Sequence, residues 1–341
     1  MARRVLMKWR LTILVFLVIA TIACIPSENN KVPKKINGVN FVGTAKPIQQ
    51  GSVANIKKIH ANWIGLTPYS FCSRNNPEIT FNSNWQWWGE KTDGIQKCIN
   101  FAKDEQLSIM LKPHIWVKED GWAGDLSYKT ETDWKKWEES YRNYVLFYAK
   151  IAEENKVEMF CMGTEIRKSV VQRKAFWFSL IQEIRIIYNG KLTYAANWDN
   201  YKNVPFWSEL DYIGVDAYFP ISLEESPTLE QLETGWQPLA KELEAFSDQY
   251  QRPILFTEYG YRSATQCAGK HWEIPNQASA DMKSQTNAYA ALYKSVWSKD
   301  WFAGGFLWKW FPDINSGGAN NSDFTPQNKP VEKVIAKYYL N

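Results

Sequence analysis

Residues 159–165 read MFCMGTE, and residues 254–260 read ILFTEYG. Each is a short apolar run that ends in a glutamate and is followed by a longer stretch of helical periodicity. Such alternation predicts repeated βα units around a parallel sheet. The same pattern recurs along the rest of the chain. It predicts eight strands, at 38–42, 63–68, 108–113, 159–163, 192–196, 212–215, 254–257 and 305–308.

The stretches between the strands predict helices near 51–60, 92–105, 133–154, 171–188, 228–249, 278–299 and 330–337, with a weak helical piece at 206–210. Eight units favour an α/β fold consisting of a single (β/α)8 TIM barrel. The alternative is a doubly wound open sheet, which normally carries a glycine-rich phosphate turn after an early strand. The sequence lacks that turn, and we predict no cofactor.

The N-terminal segment predicts export. Four basic residues precede an apolar run at 11–23 that is shorter than the roughly 20 residues of a spanning helix. The run ends in TIAC at 21–24, which resembles a bacterial lipobox, although Thr21 stands where Leu is usual. We predict a lipoprotein signal peptide at 1–23, lipidation at Cys24 and a tether at 24–35. Ordinary cleavage and an uncleaved anchor remain alternatives.

This prediction places a folded domain, residues 36–341, outside the cell or in the bacterial cell envelope, held to the membrane by a lipid. It also changes the charge balance. The chain has 40 Lys and Arg against 36 Asp and Glu. Without the four basic residues of the signal, both totals are 36, so the mature protein is nearly neutral. Nucleic-acid binding rests on clustered positive charge, and we therefore expect no such partner.

The remaining cysteines are Cys72, Cys98, Cys161 and Cys267. They show no CxxC spacing, and buried thiols are the favoured interpretation. A Cys72–Cys267 disulfide remains an alternative, because both residues fall in predicted loops. With only three histidines in the chain, we predict no metal site.

Active sites of (β/α)8 barrels lie at the carboxyl ends of the strands. Carboxylates, amides and aromatic residues predominate there, at Asn40, Tyr69, His114, Trp116, Glu165, Asn197, Asp199, Asp216, Tyr218, Glu258, Trp308 and Trp310. Glu165 and Glu258 follow the fourth and seventh strands. Two such acids suit glycoside hydrolysis, in which one donates a proton and the other attacks or activates water. The alternative is structural ion pairing with Lys112 or Arg262.

Glutamates after strands four and seven, with Trp308 after strand eight, resemble the clan of retaining (β/α)8 glycoside hydrolases. More narrowly, four segments resemble glycoside hydrolase family 113, the β-mannanases. They are LKPH at 111–114, GTE at 163–165, YIGVDAYFP at 212–220 and FTEYGY at 256–261. The resemblance covers residues 36–340. It implies an endo-β-1,4-mannanase with Glu165 as general acid/base and Glu258 as nucleophile, acting on β-mannan or mannooligosaccharides.

One position departs from the wider clan. Thr164 stands where many members place an asparagine that contacts the sugar 2-hydroxyl. Recognition of that hydroxyl is therefore expected from Asn197 or from a side chain on strand three. Mannose differs from glucose at this hydroxyl, so the departure is compatible with mannan.

Further substrate-binding candidates are aromatic or polar. Trp308 and Trp116 are expected to stack on sugar rings, and Tyr218 to reach the nucleophile. His114, Lys112 and Asp216 are interpreted as sugar ligands, with structural partnership as the alternative for each. Trp122 and the cluster Trp85, Trp87 and Trp88 also follow strands, whereas Trp134, Trp137, Trp177, Trp236 and Trp297 are expected to pack between helices and barrel.

Three other functions remain open at this point. The same retaining chemistry serves a β-glucanase or an exo-β-mannosidase, because the catalytic pair does not identify the sugar. A non-catalytic carbohydrate-binding lipoprotein would keep the barrel as a capture surface, but it has no need of both glutamates. We expect a monomer.

Overall fold

The structure is a computed structural model that describes residues 34–118, 121–275 and 277–340. The described residues from Lys35 onward form one compact unit. The predicted signal peptide, Cys24 and nearly all of the tether lie outside the described residues.

Eleven strands occur among the described residues. They are β1 (Ile36–Phe41), β2 (Trp63–Leu66), β3 (Tyr69–Ser73), β4 (Asn76–Thr80), β5 (Ser108–Leu111), β6 (His114–Val117), β7 (Met159–Thr164), β8 (Lys191–Asn197), β9 (Ile213–Asp216), β10 (Ile254–Tyr259) and β11 (Phe302–Trp310). Eight of them close a parallel barrel in the order β1-β11-β10-β9-β8-β7-β5-β2. Each predicted strand overlaps one of these eight, which confirms the single (β/α)8 barrel.

Helices surround the barrel in the expected places. They are α1 (Gly51–Ala54), α2 (Thr92–Asp104), α3 (Glu131–Glu154), α4 (Arg167–Gln172), α5 (Lys174–Ile187), α6 (Leu229–Tyr250), α7 (Met282–Leu292) and α8 (Val331–Leu340). The predicted helix at 171–188 is two helices, because Arg173 leaves helical geometry at φ −117° and ψ 42°. Helix α3 begins earlier than predicted, where the Thr130 side chain accepts a hydrogen bond from the Asp133 amide.

A second, three-stranded sheet in the order β4-β3-β6 was not predicted. Its strands β3 and β6 continue the chain after β2 and β5 and pair in parallel, with Tyr69 opposite His114 and Phe71 opposite Trp116. These partners are distant in the sequence, and local periodicity carries no signal for such pairing. Tyr69, His114 and Trp116, which were expected in loops after strands two and three, therefore lie on this sheet.

The five tryptophans that were expected to pack under helices are buried, and Trp137, Trp177 and Trp236 are wholly inaccessible. Trp310 differs from its expected place at the mouth. It lies inside β11, is 1% exposed and donates from Nε1 to Asn55 Oδ1 at 2.5 Å. The predicted strand ended at residue 308, two residues too early, which placed Trp310 in a loop.

Cys72, Cys98, Cys161 and Cys267 are all buried, and none of these four forms a disulfide. The Cys72–Cys267 alternative is therefore wrong, and the preferred interpretation as buried thiols is confirmed. Among the helices in the described part of the chain, none has the length and apolarity to cross a bilayer.

Candidate active site

Glu165 lies immediately after β7, at the turn into α4. Its backbone has a φ of 53°, in the left-handed region that non-glycine residues seldom occupy. The Glu165 amide donates to the Ala195 carbonyl at 2.8 Å, and the Glu165 carbonyl accepts from the Arg167 amide at 2.8 Å. Uncommon backbone geometry of this kind concentrates at functional sites, where the surrounding structure maintains it.

The Glu165 carboxylate sits in a poorly solvated position. Its Oε2 accepts a hydrogen bond from Trp122 Nε1 at 2.7 Å. Burial, followed by the negative charge of Glu258, raises the pKa of Glu165 to about 7, although the Trp122 bond acts in the opposite direction. A carboxyl group with this pKa can both donate and accept a proton near neutral pH.

Glu258 lies on β10 and is 7% exposed. Its Oε1 is 2.5 Å from Lys112 Nζ, and its Oε2 accepts from Tyr218 Oη at 2.7 Å. His114 Nε2 is 3.7 Å from Oε1. The ammonium and the phenol both donate hydrogen bonds to Glu258, whereas Glu165 accepts one from the neutral Trp122 indole.

Lys112 and Asp216 lie beneath this carboxylate, and both are 0% exposed. Lys112 Nζ is 3.4 Å from Asp216 Oδ1, and Thr257 Oγ1 donates to the same oxygen at 2.8 Å. Burial opposes the Lys112 ammonium, but Asp216 and Glu258 keep its pKa above the usual range. The expectation that Lys112 and Asp216 contact sugar is corrected, because both support Glu258 from the barrel interior.

His114 and Trp308 present parallel rings, with 6.4 Å between centroids and 3° between planes. Burial, and then the charge of Lys112, lowers the pKa of His114 well below its ordinary value, so the imidazole is neutral. Its buried Nε2 has no hydrogen-bond partner among the described residues.

Two adjoining cavities form a groove across the barrel mouth. The smaller, of about 220 Å³, is lined by both glutamates together with Thr164, Trp122 and His114. The larger, of about 420 Å³, is lined by many aromatic side chains, among them Phe71, Trp85 and Trp87. Both cavities share three lining residues, which are Tyr69, Trp116 and Trp308. The groove is thus an apolar cleft with convergent polar groups at one point, as small-molecule sites usually are.

The structure brings most of the candidate residues to this groove. Glu165, Glu258, His114, Trp116 and Trp308 line it, and Tyr218 is bonded to Glu258. Asn197 is not among the residues that line either cavity, and its Nδ2 donates to Asp199 Oδ1 at 3.0 Å.

The sequence identifies Trp122 and Tyr69 only as residues that follow predicted strands. Their contacts with the site had no sequence signal, since Trp122 and Glu165 are 43 positions apart. Thr164, which the sequence marked as a departure, lines the smaller cavity itself.

Solved structures resemble this chain over most of its length. A GH113 β-1,4-mannanase complex matches with 25% identity and a TM-score of 0.79, covering 90% of this chain and 99% of that one. The GH113 β-mannanase AaManA from Alicyclobacillus acidocaldarius, in complex with ManMIm, shares 22% identity and a TM-score of 0.79, over 90% and 97% of the chains.

A β-glucuronidase from Faecalibacterium prausnitzii is more distant, with 14% identity and a TM-score of 0.57, and this chain covers 49% of it. No curated protein matches the sequence. The family model of Glycoside Hydrolase Family 113 matches residues 43–329. That match runs from just after the first barrel strand to just before the last helix and takes in both glutamates, so the chain belongs to glycoside hydrolase family 113.

Proposed function

We propose that this glycoside hydrolase is an endo-β-1,4-mannanase that acts by double displacement, with Glu258 as nucleophile and Glu165 as general acid/base. One observation carries the proposal. Glu165 has a pKa raised to about 7, whereas Lys112 and Tyr218 stabilise negative charge on Glu258. Pairs of carboxyl groups with contrasting environments divide the roles of acid and nucleophile in this way.

In the first step Glu258 Oε attacks the anomeric carbon, and the bond from that carbon to the leaving oxygen breaks. Glu165 gives its proton to this oxygen. In the second step Glu165, now a carboxylate, takes a proton from water, and the water oxygen displaces Glu258 from the anomeric carbon. Two inversions at one carbon leave its configuration unchanged.

The fixed partners limit how much the site must reorganise during the reaction. Tyr218 Oη and Lys112 Nζ hold the two oxygens of Glu258 from different sides. The neutral ring of His114 lines the smaller cavity beside the same carboxylate, where a sugar would meet it. Preorganised polar groups of this kind stabilise developing charge at no further cost in the reacting complex.

The form of the groove supports a polymeric substrate. The larger cavity adjoins the smaller one across Tyr69, Trp116 and Trp308, and it offers aromatic faces beyond the point of cleavage. Electron-rich ring faces attract the slightly positive C–H groups of a pyranose. The proposal of β-1,4-mannan rests on the two family members described above as mannanases.

The test is hydrolysis of mannan, β-glucan and xylan by the wild type, Glu165→Ala and Glu258→Ala. We expect reducing ends from mannan with the wild type, and β-configured first products by NMR. With p-nitrophenyl β-mannobioside, whose leaving group departs without protonation, azide should restore turnover in both variants, because azide attacks without losing a proton. It should give a β-glycosyl azide with Glu165→Ala and an α-glycosyl azide with Glu258→Ala, because attack then comes from opposite faces.

Other outcomes would select other functions. Preferred hydrolysis of glucan would indicate a β-glucanase, and release of single sugars from chain ends an exo-β-mannosidase. Near wild-type activity in Glu258→Ala would refute the assignment of the nucleophile. Binding of mannan without any hydrolysis would indicate a carbohydrate-binding lipoprotein.

We further propose that the protein is exported and carries a lipid on Cys24 in the cell envelope of a bacterium. The support is the sequence at 1–24, with its basic start, apolar run and cysteine. Expression in bacteria with a clickable fatty acid should label the wild type and leave Cys24→Ser unlabelled. Equal labelling of both, or of neither, would refute lipidation at this residue.

A further inference from the structure

The Trp122 indole, which donates to Glu165, is covered by the side chain of Arg167. The central guanidinium carbon of Arg167 lies 4.6 Å from the centroid of the Trp122 ring. Trp122 Nε1 donates to Glu165 Oε2 at 2.7 Å. The electron-rich face of an indole attracts a planar guanidinium, which stacks on it in a preferred orientation. Arg167 therefore contacts the same ring that bonds to the candidate acid/base.

Arg167 also belongs to the turn that carries Glu165. It is the first residue of α4, two positions after Glu165, and its amide donates to the Glu165 carbonyl at 2.8 Å. The three residues are thus joined by a backbone hydrogen bond, a ring contact and the indole hydrogen bond. These contacts place Arg167 where its side chain can fix the indole relative to the carboxylate.

Two carboxylates hold the guanidinium. Arg167 Nη2 is 3.0 Å from Asp125 Oδ1, and Nη1 is 3.2 Å from Asp199 Oδ2. Asp125 ends the 3-10 turn Ala123–Asp125 that follows Trp122, whereas Asp199 lies after β8. Partly exposed ion pairs of this kind add little stability, but the forked donors of arginine fix the plane of the group. One side chain thus connects the segments that follow β6, β7 and β8.

Glycine at position 124 lets the indole approach the chain. A Cβ atom on Gly124 would lie 2.5 Å from Cη2 of Trp122 and 2.6 Å from its Cζ2 and Cζ3, closer than ordinary non-bonded contacts. The six-membered ring of the indole therefore packs directly on the backbone of its own turn. Gly124 and Arg167 both contact the indole, while its N–H is directed at Glu165.

Charge alone is the alternative explanation for Arg167 at this place. The charged side chains that act on the pKa of Glu165 lie at neighbouring strand ends, and they are Glu258, Lys112 and Asp199. Because Arg167 pairs with Asp199, it could act by neutralising that carboxylate without any part for Trp122. Lysine at position 167 keeps a cation near Asp199 and Asp125 but offers neither a planar face nor forked donors. This substitution therefore separates the two explanations.

We propose that Arg167 is a positioning residue that holds the Trp122 indole against Glu165. Its planar group fixes the ring, so that the ring N–H remains on Oε2 and stabilises the carboxylate formed when the proton has left. The assignment of Glu165 as acid/base rests on the proposed function. The contact itself does not rest on it and can be measured in the free protein.

The first experiment is a double-mutant cycle on the full-length protein, made of Arg167→Lys, Trp122→Phe and the double variant. The measured quantity is the alkaline limb of kcat/KM for mannohexaose. Loss of the indole bond destabilises the carboxylate, so in Arg167→Lys the limb should move up by about one pH unit. In the Trp122→Phe background the same change should add no further shift, because the ring through which Arg167 acts is absent.

The second experiment needs no substrate. In protein with isotope-labelled tryptophan, Trp122→Phe identifies the Trp122 indole resonance in the NMR spectrum. A hydrogen bond to a titrating carboxyl makes this resonance depend on pH, and in the wild type its midpoint should equal the pKa of Glu165, about 7. In Arg167→Lys most of this pH-dependent change should disappear, because the N–H no longer stays on Oε2.

Two variants control both experiments. Lys168→Ala removes the other cation that pairs with Asp125, whose Nζ is 3.5 Å from Asp125 Oδ1, and is expected to leave the limb and the resonance unchanged. If Arg167→Lys melts at a lower temperature than the wild type, Asp125→Asn takes its place in the cycle. That change weakens the hold on one arm of the guanidinium without removing its charge.

Equal limbs and equal Trp122 resonances in Arg167→Lys and the wild type would overturn the proposal. Shifts that add in the double variant would also overturn it, because Arg167 would then act by its charge and not through the indole. If the wild type hydrolyses no mannan, the proposed substrate fails, and the indole titration still decides the role of Arg167.

Discussion

Trp122 Nε1 donates a hydrogen bond to Glu165 Oε2 at 2.7 Å, from the loop after β6 to the end of β7. This bond stabilises the ionised carboxylate, whereas burial and the charge of Glu258 favour the protonated form and dominate. The balance leaves the pKa of Glu165 at about 7. The site is thereby set for proton transfer near neutral pH.

The first prediction concerns Trp122→Phe. Glu165 must be protonated in its proposed role as general acid, so kcat/KM of the wild type should fall as the pH rises through about 7. Loss of the indole bond removes a contact that stabilises the carboxylate, and the pKa should rise. The alkaline limb of the pH profile should move to higher pH. A limb that stays in place or moves to lower pH would contradict this role of Trp122.

The second prediction concerns Tyr218→Phe, which removes the donor to Glu258 Oε2 but keeps the ring against His271. A hydrogen bond to a charged group is worth about 1.5–3 kcal/mol, and kcat/KM should fall roughly ten- to hundredfold. Tyr250→Phe on the distant helix α6 is the matched control, with unchanged rate expected. Equal rates for Tyr218→Phe and the wild type would show that the phenol does not assist Glu258.

The third prediction is a gain of stability in Glu165→Gln. The Glu165 carboxyl has a pKa near 4.5 in the unfolded chain and about 7 in the folded one. The folded state therefore binds this proton more tightly. The resulting contribution to the free energy of unfolding is present below pH 4.5 and is lost as the pH rises to 7. Above pH 7 the folded protein carries a poorly solvated charge that glutamine lacks. Urea unfolding at pH 8 should show Glu165→Gln more stable by about 3 kcal/mol, with no difference at pH 4. If the difference in unfolding free energy between Glu165→Gln and the wild type is the same at pH 8 as at pH 4, this prediction is wrong.

The fourth prediction concerns the buried cation. Lys112→Met leaves Asp216 and Glu258 without their shared counter-charge, and removing one partner of a buried pair costs about 3–5 kcal/mol. Lys57→Met is the matched control, because its pair with Glu105 is on the surface and the side chain is 50% exposed. We expect the control to lose less than about 1 kcal/mol. Similar losses of unfolding free energy in both variants would show that Lys112 is not the central counter-charge.

Much of the fold could be predicted from the sequence because it is local in origin. Apolar strand runs alternate with helical periodicity, and closure of eight βα units into a barrel follows from their number. The glutamates were found because each stands directly after such a run. The β4-β3-β6 sheet was missed because Tyr69 and His114, which pair across it, are 45 positions apart.

The roles of Lys112 and Asp216 show where the site could not be predicted. The sequence placed both near strand ends, but whether a side chain lines a groove or lies beneath it depends on how the barrel fills its interior. Both prove to be fully buried. Asn197 likewise follows a strand as expected, yet its amide is engaged by Asp199, which only the path of the following loop determines.

By itself, the sequence determined the barrel, the two carboxylates at its mouth and the family resemblance, since strand periodicity and short motifs are properties of contiguous residues. The tertiary structure decided how the two glutamates differ. Trp122 bonds to Glu165, and Lys112 and Tyr218 bond to Glu258, across 43, 146 and 40 positions. Burial and charge act through space, and the contrast between the two carboxyl groups, on which their proposed roles rest, therefore arises only when the folded chain brings these groups together.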